Sequence, residues 1–154
     1  TDQLLDEVIT ESLRHISRKH EDYQIDVECE EFILVHMDVR LIIQVLVNLI
    51  DNAIKYTLPG SKICIRGIKK DGKAQISVAD NGPGISDEVK PHIFEMFYTG
   101  NNTIADSHRS LGLGLALCRS IIEAHGGTLV LTDNIPRGCI FTFTLPLSEV
   151  ILNE

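Results

Sequence analysis

The chain has 154 residues and a formal net charge of −8, which suits a single domain built around one hydrophobic core. This acidic balance argues against a general nucleic-acid-binding or anionic-membrane surface, and we expect the domain to make neither contact. The sequence holds no apolar run of the ~18–20 residues that a transmembrane helix needs, and no signal-peptide pattern at its start. Its four cysteines lie far apart without a CxxC pair, which predicts buried thiols.

Apolar residues at helical spacing predict three long helices along the chain. These helices are Thr1–Lys19, Val39–Tyr56 and Leu111–His125. Thr1 or Asp2 can cap the first helix, and Asp38 can cap the second. A short helix is predicted to begin at Ser86 and to be limited by Pro91. The segment Tyr98–Ser110 is polar, rich in asparagine and without periodicity, so it is predicted to be a mobile loop.

The remaining regular segments are predicted to be short strands, two of which are joined by a hairpin turn in KKDGK. The strands are Gln24–Glu28, Phe32–His36, Lys62–Ile68, Ala74–Ala79, Thr128–Thr132 and Cys139–Leu145. The order of helices and strands does not alternate as in βαβ folds. It predicts an α/β (α+β) two-layer sandwich, in which a mixed, largely antiparallel sheet of about five strands is covered on one face by three helices.

Asn48, Asn52 and Lys55 lie on one stripe of the second predicted helix, because their spacings are four and three residues. Asparagine is a poor residue for a helix interior, so two of them beside an aliphatic face are costly. One interpretation is a polar helix edge or a satisfied buried amide. The functional interpretation is a stripe that faces a polyphosphate, in which an asparagine oxygen suits Mg²⁺ and the lysine offsets phosphate charge.

The segment DNGPG places Asp80 at the end of a predicted strand, followed by a turn that contains Gly82 and Gly84. It is consistent with a simple turn. In a pocket, however, an ionised carboxylate accepts hydrogen bonds only, so Asp80 could accept one from the exocyclic amine of adenine and would repel guanine. The two glycines would let the backbone approach the base.

Gly112 and Gly114 open the third predicted helix, where free N–H groups favour a phosphate, although flexibility and close packing explain glycines there equally well. Arg109 is either a solvated basic residue or a mobile cation that reaches a terminal phosphate when the preceding loop closes. Phe94 is predicted to anchor the core. Phe97 is predicted either to act as a hinge at the base of the loop or to contact a partner.

Taken in order, these segments resemble the ATP-binding catalytic domain of sensor histidine kinases, within the gyrase–Hsp90–kinase–MutL superfamily and its Bergerat ATP-binding fold. NLIDNAIKYT resembles the asparagine box, DNGPG the first glycine box, and IFEMFYTG the phenylalanine box. LGLGLALCRSIIEAHGG resembles the second glycine box with its helix, and GCIFTFTLP the closing strand. The stretch from FYTG to AHGG further resembles the potassium-responsive, Kdp-type sensor kinases.

This resemblance implies that Asp80 binds the adenine amine and that Asn52 holds Mg²⁺. It implies a catalytic role for Asn48 and Lys55 at the phosphates, together with Arg109. The other residues implied to contact ATP are Tyr56, Gly82, Gly84, Ile85, Phe97, Leu111, Gly112, Leu113, Gly114 and Leu115. It also implies that phosphate passes to a histidine and then to an aspartate of a response regulator.

The sequence departs from the family pattern at two points. Ser110 stands where the second glycine box usually has an earlier glycine, and a serine tolerates fewer backbone conformations. None of the six histidines has the H-E-x-R or H-D-x-R setting of the family's phosphoacceptor. Gyrase-like relatives have a water-activating glutamate at the position of Asn48, which cannot act as a base at neutral pH. We therefore expect ATP to be held for transfer and not hydrolysed.

Residues 1–154 are thus expected to form one monomeric catalytic ATP-binding domain, the C-terminal cytoplasmic portion of a larger kinase in the bacterial inner membrane. The expected partners are a dimerisation and histidine-phosphotransfer domain of the same protein, through which the full protein would dimerise, and a response regulator. Two alternatives are a serine-protein kinase of the anti-sigma type, which needs no phosphoacceptor domain, and an interaction module with a degenerate pocket. Ser110 favours the latter, whereas Asn52 and Asp80 oppose it.

Overall fold

A computed structural model of the protein describes residues 2–16, 23–55, 57–95 and 109–148, without the side chains of residues 109–113. Its helices are α1 (Leu5–Arg14), α2 (Val39–Lys55) and α3 (Arg109–Ala124), with a short 3-10 helix at Lys90–His92. Its strands are β1 (Asp2–Leu4), β2 (Gln24–Cys29), β3 (Leu34–His36), β4 (Lys62–Lys70), β5 (Lys73–Asp80), β6 (Leu129–Asp133) and β7 (Cys139–Pro146).

Five of the strands form one mixed sheet in the order β2-β4-β5-β7-β6. Only the β2–β4 pair of this sheet is parallel, and the other three pairs are antiparallel. The middle helix α2 contacts α1 on one side and α3 on the other, and it packs on β4 and β5. The predicted two-layer sandwich is therefore confirmed, with helices on a largely antiparallel sheet.

The core lies between α2 and the sheet. The predicted apolar stripe of α2 is buried throughout, as shown by Ile42, Val45, Leu46, Leu49 and Ala53. Every second residue of β5 and β7 is buried beneath it, because alternate side chains of a strand point to opposite faces. The predicted hairpin joins β4 to β5 through Asp71 and Gly72, both at positive φ, as such tight turns require.

The first predicted helix begins later than its apolar pattern indicated. Asp2–Leu4 form β1, which pairs antiparallel with β3 in a separate two-stranded sheet. The Leu5 amide donates a hydrogen bond to the Ile33 carbonyl at 2.9 Å, and no side chain caps the helix. The prediction of Thr1 or Asp2 as a cap is therefore wrong, because pairing with a distant strand outweighs local helical periodicity.

Two further boundaries differ from the prediction. The short helix expected from Ser86 is a 3-10 helix at Lys90–His92, and Pro91 lies inside it, because its missing N–H is not needed in a first turn. The third long helix begins at Arg109, two residues before Leu111, so Arg109 and Ser110 are helical and do not belong to the preceding loop. Positions 98–108 of that predicted loop lie outside the described residues.

Candidate nucleotide-binding site

Asp80, the last residue of β5, is a buried carboxylate with 8% of its surface exposed. Its Oδ1 accepts hydrogen bonds from the backbone N–H of Gly82 at 2.9 Å and of Cys139 at 3.3 Å. Burial raises the pKa of Asp80, and these two hydrogen bonds partly oppose that effect. Among the described residues Oδ2 makes no hydrogen bond, so one carboxylate oxygen is held in place and the other can accept a hydrogen bond from a ligand.

The DNGPG turn is held by a second turn, the segment Asn134–Gly138 between β6 and β7. The sequence predicts this segment only as a connection between two strands. The Asn134 side-chain amide donates to the Asp80 carbonyl at 2.8 Å, and Arg137 Nε donates to the Gly82 carbonyl at 3.0 Å. From the other side, the side chain of Asn81 accepts a hydrogen bond from the Lys62 amide at 3.0 Å. The DNGPG backbone is therefore fixed from both of its neighbours.

Two glycines allow these turns to touch. Gly138 has a φ of +111°, and a Cβ there would lie 1.9 Å from the Asp80 carbonyl oxygen, a separation that no real side chain could keep. Gly84 has a φ of +85° and faces Gly138 across the contact. The sequence signal for Gly138 was its place at the end of a turn, but the close approach depends on strand pairing between β5 and β7.

On α2, Asn52 is buried, with 5% of its surface exposed. Its Oδ1 is fully buried and has no hydrogen-bond partner among the described residues. An unsatisfied buried oxygen of this kind is costly, and it suits a hard cation that prefers oxygen ligands. The residue therefore fits the Mg²⁺ role implied by the sequence. Lys55 is half-buried at the end of the same helix, and Tyr56 lies outside the described residues.

Asn48 brings α2 into contact with α3. Its Nδ2 donates to the thiol sulfur of Cys118 at 3.7 Å, and a Cβ on Gly114 would lie 3.8 Å from the Asn48 amide. Burial raises the pKa of Cys118 to about 12, so this sulfur stays a neutral thiol at physiological pH. The structure thus places the asparagine stripe and the second glycine segment side by side.

The glycines of that segment lie inside α3 and not at its very start. Because α3 begins at Arg109, Gly112 is the fourth helical residue and Gly114 the sixth. Only the first four N–H groups of a helix lack an intrahelical partner, so Gly114 cannot offer a free N–H to phosphate. The expectation that both glycines open the helix is therefore wrong for Gly114, because helical hydrogen bonding continues through it.

The structure places the other predicted contacts at different depths. Leu115 is buried in the core with 4% of its surface exposed, and Ile85 is half-buried and packs against the core. Leu111 and Leu113 lie in the first turns of α3, and Phe97 lies outside the described residues.

The core role predicted for Phe94 is confirmed. It packs against the core, with its ring edge-on to Phe141 at a centroid distance of 6.1 Å. The guanidinium of Arg119 lies 5.0 Å from the centre of the Phe94 ring. These contacts join the segment after the DNGPG turn to both α3 and β7, in a way that the sequence did not show.

The match to known proteins agrees with this geometry. The family model described as "Histidine kinase-, DNA gyrase B-, and HSP90-like ATPase" matches residues 37–149. Sensor protein KdpD of Clostridium acetobutylicum is 41% identical over 145 residues, which are 94% of this chain and 16% of that protein. The kinase SasA of Crocosphaera subtropica is 44% identical over 115 residues, which are 73% of this chain and 29% of that protein.

Solved structures match over almost the whole chain. The mycobacterial sensor histidine kinase MprB is 27% identical with a TM-score of 0.84, covering 97% of this chain and 100% of that one. A nucleotide-free catalytic domain of the histidine kinase ThkA is 33% identical with a TM-score of 0.82, covering 95% of each chain. ThkA in complex with the response regulator protein TrrA is 34% identical with a TM-score of 0.79, covering 96% of this chain and 42% of that one.

The chain belongs to the family of histidine kinase-, DNA gyrase B- and HSP90-like ATPases, and it has the ATP-binding catalytic fold of two-component histidine kinases. It spans less than a third of the length of the two curated relatives described above. None of the helices among the described residues is long and apolar enough to cross a membrane.

Proposed function

We propose that this domain binds ATP with Mg²⁺ and donates the γ-phosphate to a histidine on a dimerisation domain of the same protein. The observation that carries the proposal is the pair of buried oxygen acceptors, Asp80 at one end of the site and Asn52 on α2. Each is a costly group to bury without a ligand. The carboxylate of Asp80 suits the amine of adenine, and the side-chain oxygen of Asn52 suits Mg²⁺.

At the adenine end, Asp80 reads the base. The backbone amides of Gly82 and Cys139 occupy Oδ1, which leaves Oδ2 to accept a hydrogen bond from the exocyclic amine of adenine. Guanine carries a carbonyl oxygen at that position, and two acceptors facing each other in a dry site repel. The same carboxylate therefore binds ATP and rejects GTP.

At the phosphate end, Asn52 would hold the metal through its buried Oδ1, while Asn48 and Lys55 contact the phosphates. Bound Mg²⁺ neutralises phosphate charge as the γ-phosphoryl group is transferred. By the family resemblance, Asn48 takes the position of the glutamate that activates water in gyrase-like relatives, and an amide cannot accept a proton at neutral pH. The site therefore holds ATP for transfer, with catalysis from positioning and charge stabilisation, to which Arg109 adds a cation.

The proposed receiving partners follow from the chain's relatives. The histidines of this chain lack the H-E-x-R or H-D-x-R setting, so the acceptor lies on another domain, and the ThkA–TrrA complex supports a response regulator as the next acceptor. The domain would lie in the cytoplasm, as part of a dimeric sensor in the bacterial cell membrane. The KdpD relative supports a role in potassium- or turgor-responsive transport regulation.

Calorimetric titration of the domain with ATP, ADP and GTP, with and without Mg²⁺, tests the proposal. We expect Mg²⁺-dependent binding of ATP and ADP, with little binding of GTP. Asp80→Asn keeps the size and the Oδ1 acceptor but places a donor opposite the adenine amine, so ATP affinity should fall by about tenfold or more. Asp26→Asn, an exposed aspartate on edge strand β2, is the matched control. No adenine-nucleotide binding by the unmodified domain would refute the proposal.

Phosphoryl transfer is tested separately by supplying the proposed dimerisation domain. Radiolabelled γ-phosphate should appear on the histidine of the supplied domain and then on the response regulator. Label on a serine of another protein instead would favour the anti-sigma type of kinase.

A further inference from the structure

We infer that the turn Asn134–Gly138 positions Asp80 for the adenine amine, with Asn134 and Arg137 as positioning residues that set selectivity for the base. The inference rests on the proposed function, because it concerns how the same site reads ATP. It assigns a role to a turn that the sequence predicts only as a connection between two strands, and Asn134 and Arg137 lie outside the segments that resemble the family's motifs.

Asn134 holds the backbone of Asp80 itself. Its Nδ2 donates to the Asp80 carbonyl at 2.8 Å, while its Oδ1 accepts from the Ile135 amide at 2.9 Å. Its own backbone N–H donates to the Gly138 carbonyl at 2.9 Å, which closes the turn. Because both ends of the side-chain amide are used, its orientation is fixed, and it transmits the position of the turn to Asp80.

Arg137 holds the other partner of the carboxylate. Its Nε donates to the Gly82 carbonyl at 3.0 Å, and the Gly82 N–H donates to Asp80 Oδ1 at 2.9 Å. Arg137 is exposed, so its side chain does not contribute to core packing. Its hydrogen bond to the residue that holds Asp80 Oδ1 is the reason to assign it a positioning role.

Two further contacts join the two turns. Gly138 lies directly against the Asp80 carbonyl. Beyond the DNGPG turn, Lys90 Nζ lies 2.8 Å from Asp133 at the end of β6 and 2.8 Å from Asp87. The segment that carries the adenine-reading carboxylate is therefore tied to the β6–β7 turn before, within and after its glycines.

Selectivity depends on this positioning because a hydrogen bond to the adenine amine is directional. Recognition groups act fully only when they are held within about 0.5 Å and 10–20° of the productive geometry. If Gly82 is released, Oδ1 keeps only the longer hydrogen bond from Cys139, at 3.3 Å, and Oδ2 can turn away from the amine. Affinity contributed by the amine is then lost, whereas affinity contributed by the purine ring and the phosphates remains.

The test compares two substitutions of Arg137 with two nucleotides. Arg137→Gln keeps a side-chain N–H donor at the same place along the chain but removes the charge, whereas Arg137→Met removes both. The nucleotides are ATP and purine riboside triphosphate, which lacks the exocyclic amine. Arg66→Met is the control, because Arg66 is also an exposed arginine and pairs with Glu28 on the far part of the sheet.

We expect Arg137→Met, and likewise Asn134→Ala, to lower ATP affinity about fivefold, the loss of one positioned hydrogen bond, and to leave the affinity for purine riboside triphosphate unchanged. Arg137→Gln and Arg66→Met should bind both nucleotides as the unmodified domain does. Circular dichroism melts confirm that each variant is folded at the temperature of the titration.

Three results would overturn the inference. Equal losses for both nucleotides in Arg137→Met would show that the residue does not act through the amine. Equal losses in Arg137→Gln and Arg137→Met would show that the positive charge acts and not the hydrogen bond. Unchanged ATP affinity in both Arg137→Met and Asn134→Ala would refute the inference while leaving the proposed function intact. If the unmodified domain binds no adenine nucleotide, both fall together.

Discussion

Replacement of Gly138 by alanine should weaken ATP binding more than its loss of stability alone would cause. The new Cβ would lie 1.9 Å from the Asp80 carbonyl oxygen and 2.9 Å from the Asn81 Cα. Ordinary contacts begin at 3.4 Å, so the two turns must separate by about 1.5 Å or deform. Either change moves the residue that we propose to read adenine.

The loss in free energy of unfolding has two parts, a backbone cost and a cost of the steric clash. Gly138 has a φ of +111°, and an alanine held at positive φ costs about 1–2 kcal/mol. The clash adds about 1–3 kcal/mol of overpacking strain. Gly138→Ala should therefore lower the free energy of unfolding by about 2–5 kcal/mol, and the melting temperature by on the order of 5–20 °C.

Gly126→Ala and Gly127→Ala are matched controls for the two contributions. Gly126 has a φ of +84° with nothing within 4 Å of a new Cβ, so it measures the backbone cost alone. A Cβ on Gly127 would lie 1.8 Å from the Thr144 carbonyl, so it measures a clash near the far end of β7 from Asp80. Both variants should be less stable than the unmodified domain but should bind ATP normally.

The assay is a urea titration of each variant, followed by calorimetry with MgATP at a temperature where all are folded. Gly138→Ala should lose about tenfold or more in ATP affinity, equivalent to about 1.4 kcal/mol. If it binds ATP as well as Gly127→Ala does, the contact between Gly138 and Asp80 does not fix the carboxylate, and the reasoning is wrong.

Three other outcomes follow from the structure. Burial raises the pKa of Asp80, so its ionised form lowers the free energy of unfolding above that pKa, and this penalty disappears as the pH falls through it. In urea titrations, Asp80→Asn should therefore be more stable than the unmodified domain at pH 7, by a margin that shrinks toward pH 4. An equal margin at both pH values would contradict this. Asn52→Ala should remove the Mg²⁺ dependence of ATP affinity in calorimetry, whereas Gln44→Ala on the exposed face of α2 should keep it. Tyr23→Phe should lower the free energy of unfolding by about 1 kcal/mol, because the one hydroxyl proton of Tyr23 is shared between the Ile54 carbonyl at the end of α2 and the Thr57 carbonyl just beyond it. No loss in a urea titration would show that water replaces this hydrogen bond.

The sequence pattern was sufficient to predict those features that depend on a single helix, strand or turn. The apolar stripe of α2 and the hairpin at Asp71 and Gly72 are read from neighbours in sequence, because helical and strand periods and positive-φ turns are local properties. The position of Asp80 at the end of a strand followed from the same kind of reasoning. Boundaries were less secure, since the start of α1 depends on strand β3 and not on its own residues.

The sequence by itself determined the class of the domain, because the segments that resemble the family's motifs are short and stand in order. For the same reason it was sufficient to predict which residues we propose to bind adenine and a metal. Only the tertiary structure decided how that chemistry is held. The burial of Asn52, the hydrogen bond of Asn48 to Cys118, and the support of Asp80 by the β6–β7 turn all depend on residues tens of positions apart. Strand pairing and helix packing create these contacts, and no local pattern encodes them.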